Sequence, residues 1–331
     1  MEKEIKELLN KQVLQEAAYR FGMNVDALSF IGGFQNFVFE YLKSNKPYIL
    51  RLTHSSHRDV DLVRGELDWI LYLVDNGISA SKPILSNFGK FTEIISVGDS
   101  YFIATLFEKA EGRKIGYPEC LNNDELSYAC GEFTGRIHSL SKKYVPSTIA
   151  IKRYDWTANY YLRNIRRFIP SNQPLVLELY DNLFNQISGL RKEQGNYGLI
   201  HGDINVGNFF IDNGQITLFD FDECQYSWFV EDIAIQLFYI VYVYLDDSIN
   251  EREVQAKRFM EHFLNGYCCE SSIDGYSLNQ LSLFLQLREL IVYIGMYRSS
   301  DFSNLGQWQS NYILESRRRL ENGIPIVEGI H

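Results

Sequence analysis

Apolar positions recur at helical spacing through residues 3–21, with Ile5, Leu8, Leu9, Val13, Leu14 and Ala17 on one face, and predict an amphipathic helix. The pattern then shortens to strand-like runs. Residues 31–41 read as two strands joined by the small turn Gly32-Gly33, and residues 47–52 as a third. A helix is expected over 59–76, closed by a glycine-type cap at Asn76-Gly77. Short strands at 81–85 and 91–95 and a longer one at 101–108 complete this part. From there the chain reads as helical. Residues 124–140 place Leu126, Ala129, Cys130, Phe133, Ile137 and Leu140 at core spacing behind a capping Asn122 or Asn123, with a loop over 141–154. Helices follow at 155–168 and 175–192, and four more close the chain at 229–246, 250–268, 276–297 and 302–321. The expected class is α+β, with an N-terminal domain over 1–108 and a mainly helical one over 109–331.

Two places in this pattern carry candidate chemistry. Arg51 is a single basic residue in an apolar strand, where a charge is costly unless paired. Glu66, on the helix that follows, is its expected partner; the alternative is that Arg51 faces outward. The second place is His201-Gly202-Asp203-Ile204-Asn205-Val206-Gly207-Asn208, followed by an apolar strand, the turn Asp212-Asn213-Gly214, and a second strand ending on Asp220-Phe221-Asp222. A tight hairpin there would gather Asp203, Asn208 and Asp220 at one end. Two carboxylates and an amide so placed suit phosphoryl transfer, with one acid taking a hydroxyl proton and the other groups holding a hard cation. Spacing alone leaves a plain turn equally open.

This constellation resembles the kinase catalytic loop H-R-D-x-x-x-x-N followed by D-F-G. With Gly202 in place of the arginine, and with Trp228-Phe229-Val230-Glu231-Asp232-Ile233-Ala234 trailing it, the chain is similar to the aminoglycoside phosphotransferase and choline kinase superfamily over roughly residues 30–235. The resemblance implies a bilobal protein-kinase-like fold, with a small antiparallel-sheet N-lobe carrying one key helix and a larger, mainly helical C-lobe. It implies ATP and Mg2+, with Asp203 as catalytic base, Asn208 and Asp220 as metal ligands, and Arg51 on the α- and β-phosphates supported by Glu66. Gly32 and Gly33 would lie over the phosphates, and the backbone of Leu106, Phe107 and Glu108 against the adenine. Asp232 would support the catalytic-loop backbone, while His138 and His201 are read as structural. Asp222 either reaches a second metal or faces solvent. Glu223, Glu231, Asp246 and Asp247 are candidate contacts for an acceptor's amine.

Composition narrows the acceptor. A net charge of −10 argues against a nucleic-acid binder and leans towards a cationic small molecule bearing a hydroxyl. Only a short run separates Asp222 from Trp228, which favours a small acceptor over a regulated protein substrate. Amino sugars such as aminoglycosides, amino alcohols and amino acids all fit. A Ser/Thr protein kinase of the same fold and a non-catalytic nucleotide-binding pseudokinase are the alternatives. Five scattered cysteines without C-x-x-C spacing read as reduced thiols. With a charged N-terminus and no long apolar run, a cytoplasmic protein without membrane contact is expected, as monomer or homodimer.

Overall fold

A computed structural model describes residues 3–330. Its chain groups into two units. One runs to Gly112 and takes in Tyr144–Arg153 and Thr217–Asp222; the other comprises Arg113–Lys143, Tyr154–Ile216 and the chain from Glu223 onward.

The first unit starts with two helices, α1 (Lys3–Leu8) and α2 (Lys11–Arg20), where the apolar pattern predicted one. Asn10 makes the break: its side-chain oxygen accepts from the N–H groups of Gln12 and Val13, at 3.0 and 3.1 Å, and so caps a new helix. Then come β1 (Ser29–Gly32), β2 (Phe37–Lys43), β3 (Lys46–His54), α3 (Val60–Asp75), β4 (Pro83–Ile84), β5 (Glu93–Val97) and β6 (Ser100–Glu108). The strands form one antiparallel sheet in the order β1-β2-β3-β6-β4, with β5 also on β6. β4 is shorter than its apolar run predicted, with Pro83 in this edge strand.

The two-residue period of β3 settles what its side chains face. Leu50 and Leu52 join Phe37, Phe39, Phe102, Ala104 and Leu106 in a core that Val13, Ala17 and Ala18 of α2 cover. Arg51 therefore points to the opposite face, where α3 supplies Glu66. Asp59 caps α3 by accepting from the Leu62 N–H at 2.8 Å. Gly77, at φ 84°, lets the chain turn back so that the Ile78 N–H reaches the Leu73 carbonyl at 3.0 Å. The late segment 217–222 is stitched into this unit by Ser81 N–H to Leu218 O at 2.8 Å and by Phe221, edge-on to Trp69.

The second unit holds β7 (Arg113–Lys114), α4 (Asp124–Ser141), α5 (Tyr160–Arg163), α6 (Ile165–Phe168), α7 (Pro174–Ser188), β8 (Tyr197–Ile200), β9 (Phe209–Asp212), the first two residues of β10 (Gln215–Leu218), β11 (Gln225–Trp228), α8 (Phe229–Val241), α9 (Ile249–Glu270), α10 (Gly275–Leu278), α11 (Leu281–Ser299) and α12 (Gln307–Asn322). Asn123, one of the two expected caps, closes the start of α4. The single helix expected over 155–168 is a 3-10 turn and two short helices. Its asparagines interrupt it, because Asn159 accepts from the Tyr161 N–H and Asn164 donates to the Tyr160 carbonyl. β8 pairs antiparallel with β11, and β9 lies between β10 and β7. The Asn213-Gly214 turn, both residues at positive φ, closes the β9–β10 hairpin. α8 is buried along nearly its whole length and packs against α11. Among the described residues no helix is long and apolar enough to cross a membrane.

Candidate active site

In the first unit, Arg51 and Glu66 meet fork to fork. Nη1 and Nη2 donate to Oε1 and Oε2, each at 2.7 Å, and the carboxylate is 1% exposed. The ion pair, not the outward-facing alternative, is what the structure holds. The guanidinium also stacks on Phe107, 5.1 Å from its ring centre, because residues 51 and 107 share one face of the sheet. Burial alone would weaken the charge on Arg51; Glu66, then Asp222 and Asp220, more than restore it.

Gly32, the last residue of β1, and Gly33, in the turn that follows, both sit at positive φ, at 124° and 129°. Leu106 and Phe107 are paired on both sides within the sheet, and the Glu108 N–H donates to Lys82 O at 2.9 Å. Lys109 N–H is committed to Pro47 O, so the first backbone donor without a partner past this strand, among the described residues, is that of buried Ala110. Asp220 is exposed, in a left-handed conformation at φ 64°.

Asp222 was expected either to reach a metal or to face solvent. It is buried: His57 Nε2 lies 2.7 Å from one carboxylate oxygen and Arg58 Nε 3.5 Å from the other. Its carbonyl receives Arg153 Nη2 at 2.6 Å and Arg58 Nη2 at 3.2 Å. Burial pushes this carboxyl up, but His57 and Arg58 outweigh it and hold it well below the usual range. It is an ordering centre for its own unit.

In the second unit, the loop between β8 and β9 is shaped at both ends. Asp232, in the first turn of α8, accepts from the N–H groups of His201 at 3.0 Å and Gly202 at 2.8 Å. Burial raises the Asp232 carboxyl, yet hydrogen bonds from His138 and this backbone bring it below its ordinary value. Gly202 has φ 79°, and a Cβ there would lie 2.4 Å from the Glu223 carbonyl. Side chains are excluded at that position, so the arginine of the protein-kinase motif cannot be accommodated. Further along, Asn205 folds the loop by accepting from the Gly207 N–H at 2.8 Å.

Asp203 and Asn208 are brought into direct contact. The Asn208 amide nitrogen donates to Asp203 Oδ2 and to the Asp203 carbonyl, both at 2.9 Å. Its amide oxygen takes part in no hydrogen bond among the described residues and is the atom available to a cation. An amide oxygen and carboxylates are hard donors, which fit Mg2+ or Ca2+ and not a thiolate-seeking metal.

Arg288, on α11, is the residue that sequence reasoning missed. Its Nη2 donates to Asp203 Oδ1 and, at 2.6 Å, approaches the Tyr239 hydroxyl; Nη1 lies 3.4 Å from the Gly202 carbonyl. The guanidinium stacks on the Tyr239 ring at 4.9 Å. Burial raises the Asp203 carboxyl, and Arg288 and Asn208 only partly oppose it. The one available signal was the charged pair Arg288-Glu289 set within the mainly apolar stretch 281–294.

The candidate amine contacts fare unevenly. Glu231 is buried and spoken for by Gln225 Nε2 at 3.0 Å and by the Ser227 hydroxyl. Asp246 is tied to Arg252, Arg318 and Arg319. Asp247 remains exposed, and the Glu223 carbonyl packs over Gly202.

Residues 27–267 match the model of the phosphotransferase enzyme family. The amicoumacin kinase of Bacillus subtilis (strain 168) is 37% identical over 326 residues, covering 98% of this chain and 96% of its own. A solved amicoumacin kinase in complex with AMP-PNP, Ca2+ and Ami superposes with a TM-score of 0.91 at 34% identity, over 99% of this chain and 98% of that one. A microcompartment-associated aminopropanol kinase shares the fold, with a TM-score of 0.75 at 19% identity over 96% and 100% of the two chains. The antiparallel sheet and the helical unit thus have the architecture of these kinases, and the chain belongs to the phosphotransferase enzyme family.

Proposed function

We propose that this enzyme transfers the γ-phosphoryl group of ATP to a hydroxyl of a small, amine-bearing molecule. The observation that carries the reading is the Asp203–Asn208 contact, which fixes a carboxylate and leaves the amide oxygen of the same short loop without a hydrogen bond among the described residues. The extent of the likeness to amicoumacin kinases makes amicoumacin the first acceptor to try.

In this reading Asp203 accepts a hydrogen bond from the acceptor hydroxyl, orients it for in-line attack and takes its proton as the bond to phosphorus forms. Asn208, through its free oxygen, and Asp220 are the ligands of Mg2+. When bound, the cation offsets the charge that builds between the β- and γ-phosphates. Arg51 meets the α- and β-phosphates, held in place by Glu66. Gly32 and Gly33 leave the phosphate loop without bulk. Leu106, Phe107 and Glu108 lead the chain past the adenine, where the unpartnered N–H of Ala110 supplies a donor. The short connection between Phe221 and β11 leaves no long segment for a protein substrate, in keeping with a small acceptor.

Incubating the enzyme with ATP, Mg2+ and amicoumacin, then with a panel of amino sugars, amino alcohols and amino acids, tests the assignment. ADP release matched by an acceptor heavier by one phosphoryl group is expected. No product from any acceptor, together with no thermal shift from ATP and Mg2+, would overturn it.

A further inference from the structure

We infer that Arg288 is a positioning residue for phosphoryl transfer: its guanidinium holds the Asp203 carboxylate in the orientation that receives the acceptor hydroxyl. This rests on the reading of Asp203 as the base. Asp203 is gripped from two sides, Oδ1 by Arg288 and Oδ2 by Asn208. Each carboxylate oxygen accepts more than one hydrogen bond, so both remain able to receive a hydroxyl while the group cannot rotate. The carboxylate is 24% exposed whereas the arginine is 9% exposed, so the acid is reachable and its holder is not.

Arg288 is itself held. The Tyr239 ring lies under its plane, the Tyr239 hydroxyl meets Nη2, and the Gly202 carbonyl faces Nη1. Those partners come from α8 and from the loop that carries Asp203. The base is therefore referred to two packed helices and not to its own loop alone. Arg288 Nε is buried and without a hydrogen bond, so the side chain gives up a donor to stay in this orientation.

The test is a cycle of Arg288→Gln, Asp203→Asn and the double variant, with Arg288→Lys and Tyr239→Phe beside them. Turnover is measured with ATP, Mg2+ and amicoumacin, and unfolding with urea. Arg288→Gln is expected to lower kcat about 10- to 100-fold with KM for both substrates little changed. Arg288→Lys should recover part of that loss. The double variant should turn over no more slowly than Asp203→Asn, because one residue acts through the other. In urea, Asp203→Asn should restore part of the stability that Arg288→Gln removes, a readout that needs no acceptor.

Effects of the two single variants that multiply in the double would overturn the inference, as would a raised amicoumacin KM at parental kcat in Arg288→Gln, which marks an acceptor contact. Parental turnover in Asp203→Asn would instead remove the base assignment itself. Should Arg288→Gln not fold, Tyr239→Phe frees the arginine without stranding a charge. Its kcat should then fall in the same direction, and an unchanged kcat would count against the inference.

Discussion

In each unit of this enzyme a buried arginine meets a carboxylate and stacks on an aromatic ring, Arg51 on Phe107 and Arg288 on Tyr239. The two pairs are built differently. Arg51 and Glu66 close on each other through two bonds of 2.7 Å, and the acid is all but sealed. Arg288 gives only Nη2 to Asp203, shares that atom with Tyr239, and leaves the carboxylate open to incoming groups. A closed fork uses the carboxylate to aim the guanidinium; an open one uses the guanidinium to aim the carboxylate. On the proposed mechanism the arginine is the working group of the first pair and the carboxylate that of the second.

The largest effect expected from this contrast is on the open side. Asp203→Asn keeps the shape but cannot accept a proton, and its single oxygen can accept from only one of Asn208 and Arg288. Its kcat should fall by about 10²- to 10⁴-fold, the usual worth of a general base. Calorimetry should show binding of ATP and Mg2+ close to parental. Parental kcat would reverse the roles assigned to the two pairs.

On the closed side the cost is expected in the fold as well as in nucleotide binding. Glu66→Gln leaves Arg51 as an unpaired buried charge, which costs about 3–5 kcal/mol in stability. Urea unfolding measures that, and ATP affinity should weaken with it. A variant as stable as the parent would mean that other groups near Arg51, Asp220 and Asp222 among them, can take over the charge.

How far these pairs could be read from the chain alone differs for the same reason. Arg51 was legible because strand alternation forces it away from Leu50 and Leu52, and Glu66 lies only fifteen residues on, in the next helix. The loop from His201 to Asn208 was legible because its chemistry is local and consecutive. Arg288 lies 85 residues from Asp203, and Tyr239 is 49 residues from Arg288; helical periodicity says nothing about which distant loop a buried residue meets. The burial of Glu231 and of Asp222 was not legible. Acids look solvated in sequence, and only the packing of α8 and of the segment ending at Asp222 shows them enclosed. The helix breaks at Asn10, Asn159 and Asn164 were visible as residue types, but whether an asparagine caps or merely rides a helix is settled by the tertiary context.

Another buried carboxylate supplies the control that neither pair offers. Among the described residues Glu231 has hydrogen-bond donors but no arginine in contact, and burial, only partly opposed by those donors and by the more distant Arg288, pushes it up to about 7 against an ordinary 4.5. The folded state therefore binds this proton more tightly than the unfolded chain. Its contribution to stability is complete below about pH 4.5 and is lost as pH rises through about 7, a change of roughly 3 kcal/mol at 1.36 kcal/mol per unit. Glu231→Gln should remove that dependence. Urea unfolding at a series of pH values should find the variant gaining on the parent between pH 4.5 and 7. A constant difference would show that the site stays ionised without a cation.

The smallest effect expected is also the most discriminating for the open pair. Tyr239→Phe removes the hydroxyl 2.6 Å from Arg288 Nη2 but keeps the ring on which the guanidinium lies. The charge on Asp203 stays compensated, so the fold should lose only the net worth of one hydrogen bond, about 1 kcal/mol. If the hydroxyl merely fills space, kcat will match the parent while stability falls by that amount. If it aims Arg288, and through it the carboxylate, the same loss appears in the transition state, and kcat falls roughly fivefold at unchanged KM. The equivalent change on the closed side, Phe107→Leu, strips the ring from Arg51 without touching its fork to Glu66. It should weaken ATP binding and leave kcat at saturation alone. A kcat effect at position 239 beside a binding effect at position 107 would separate the two pairs by function; the same kinetic signature at both would merge them.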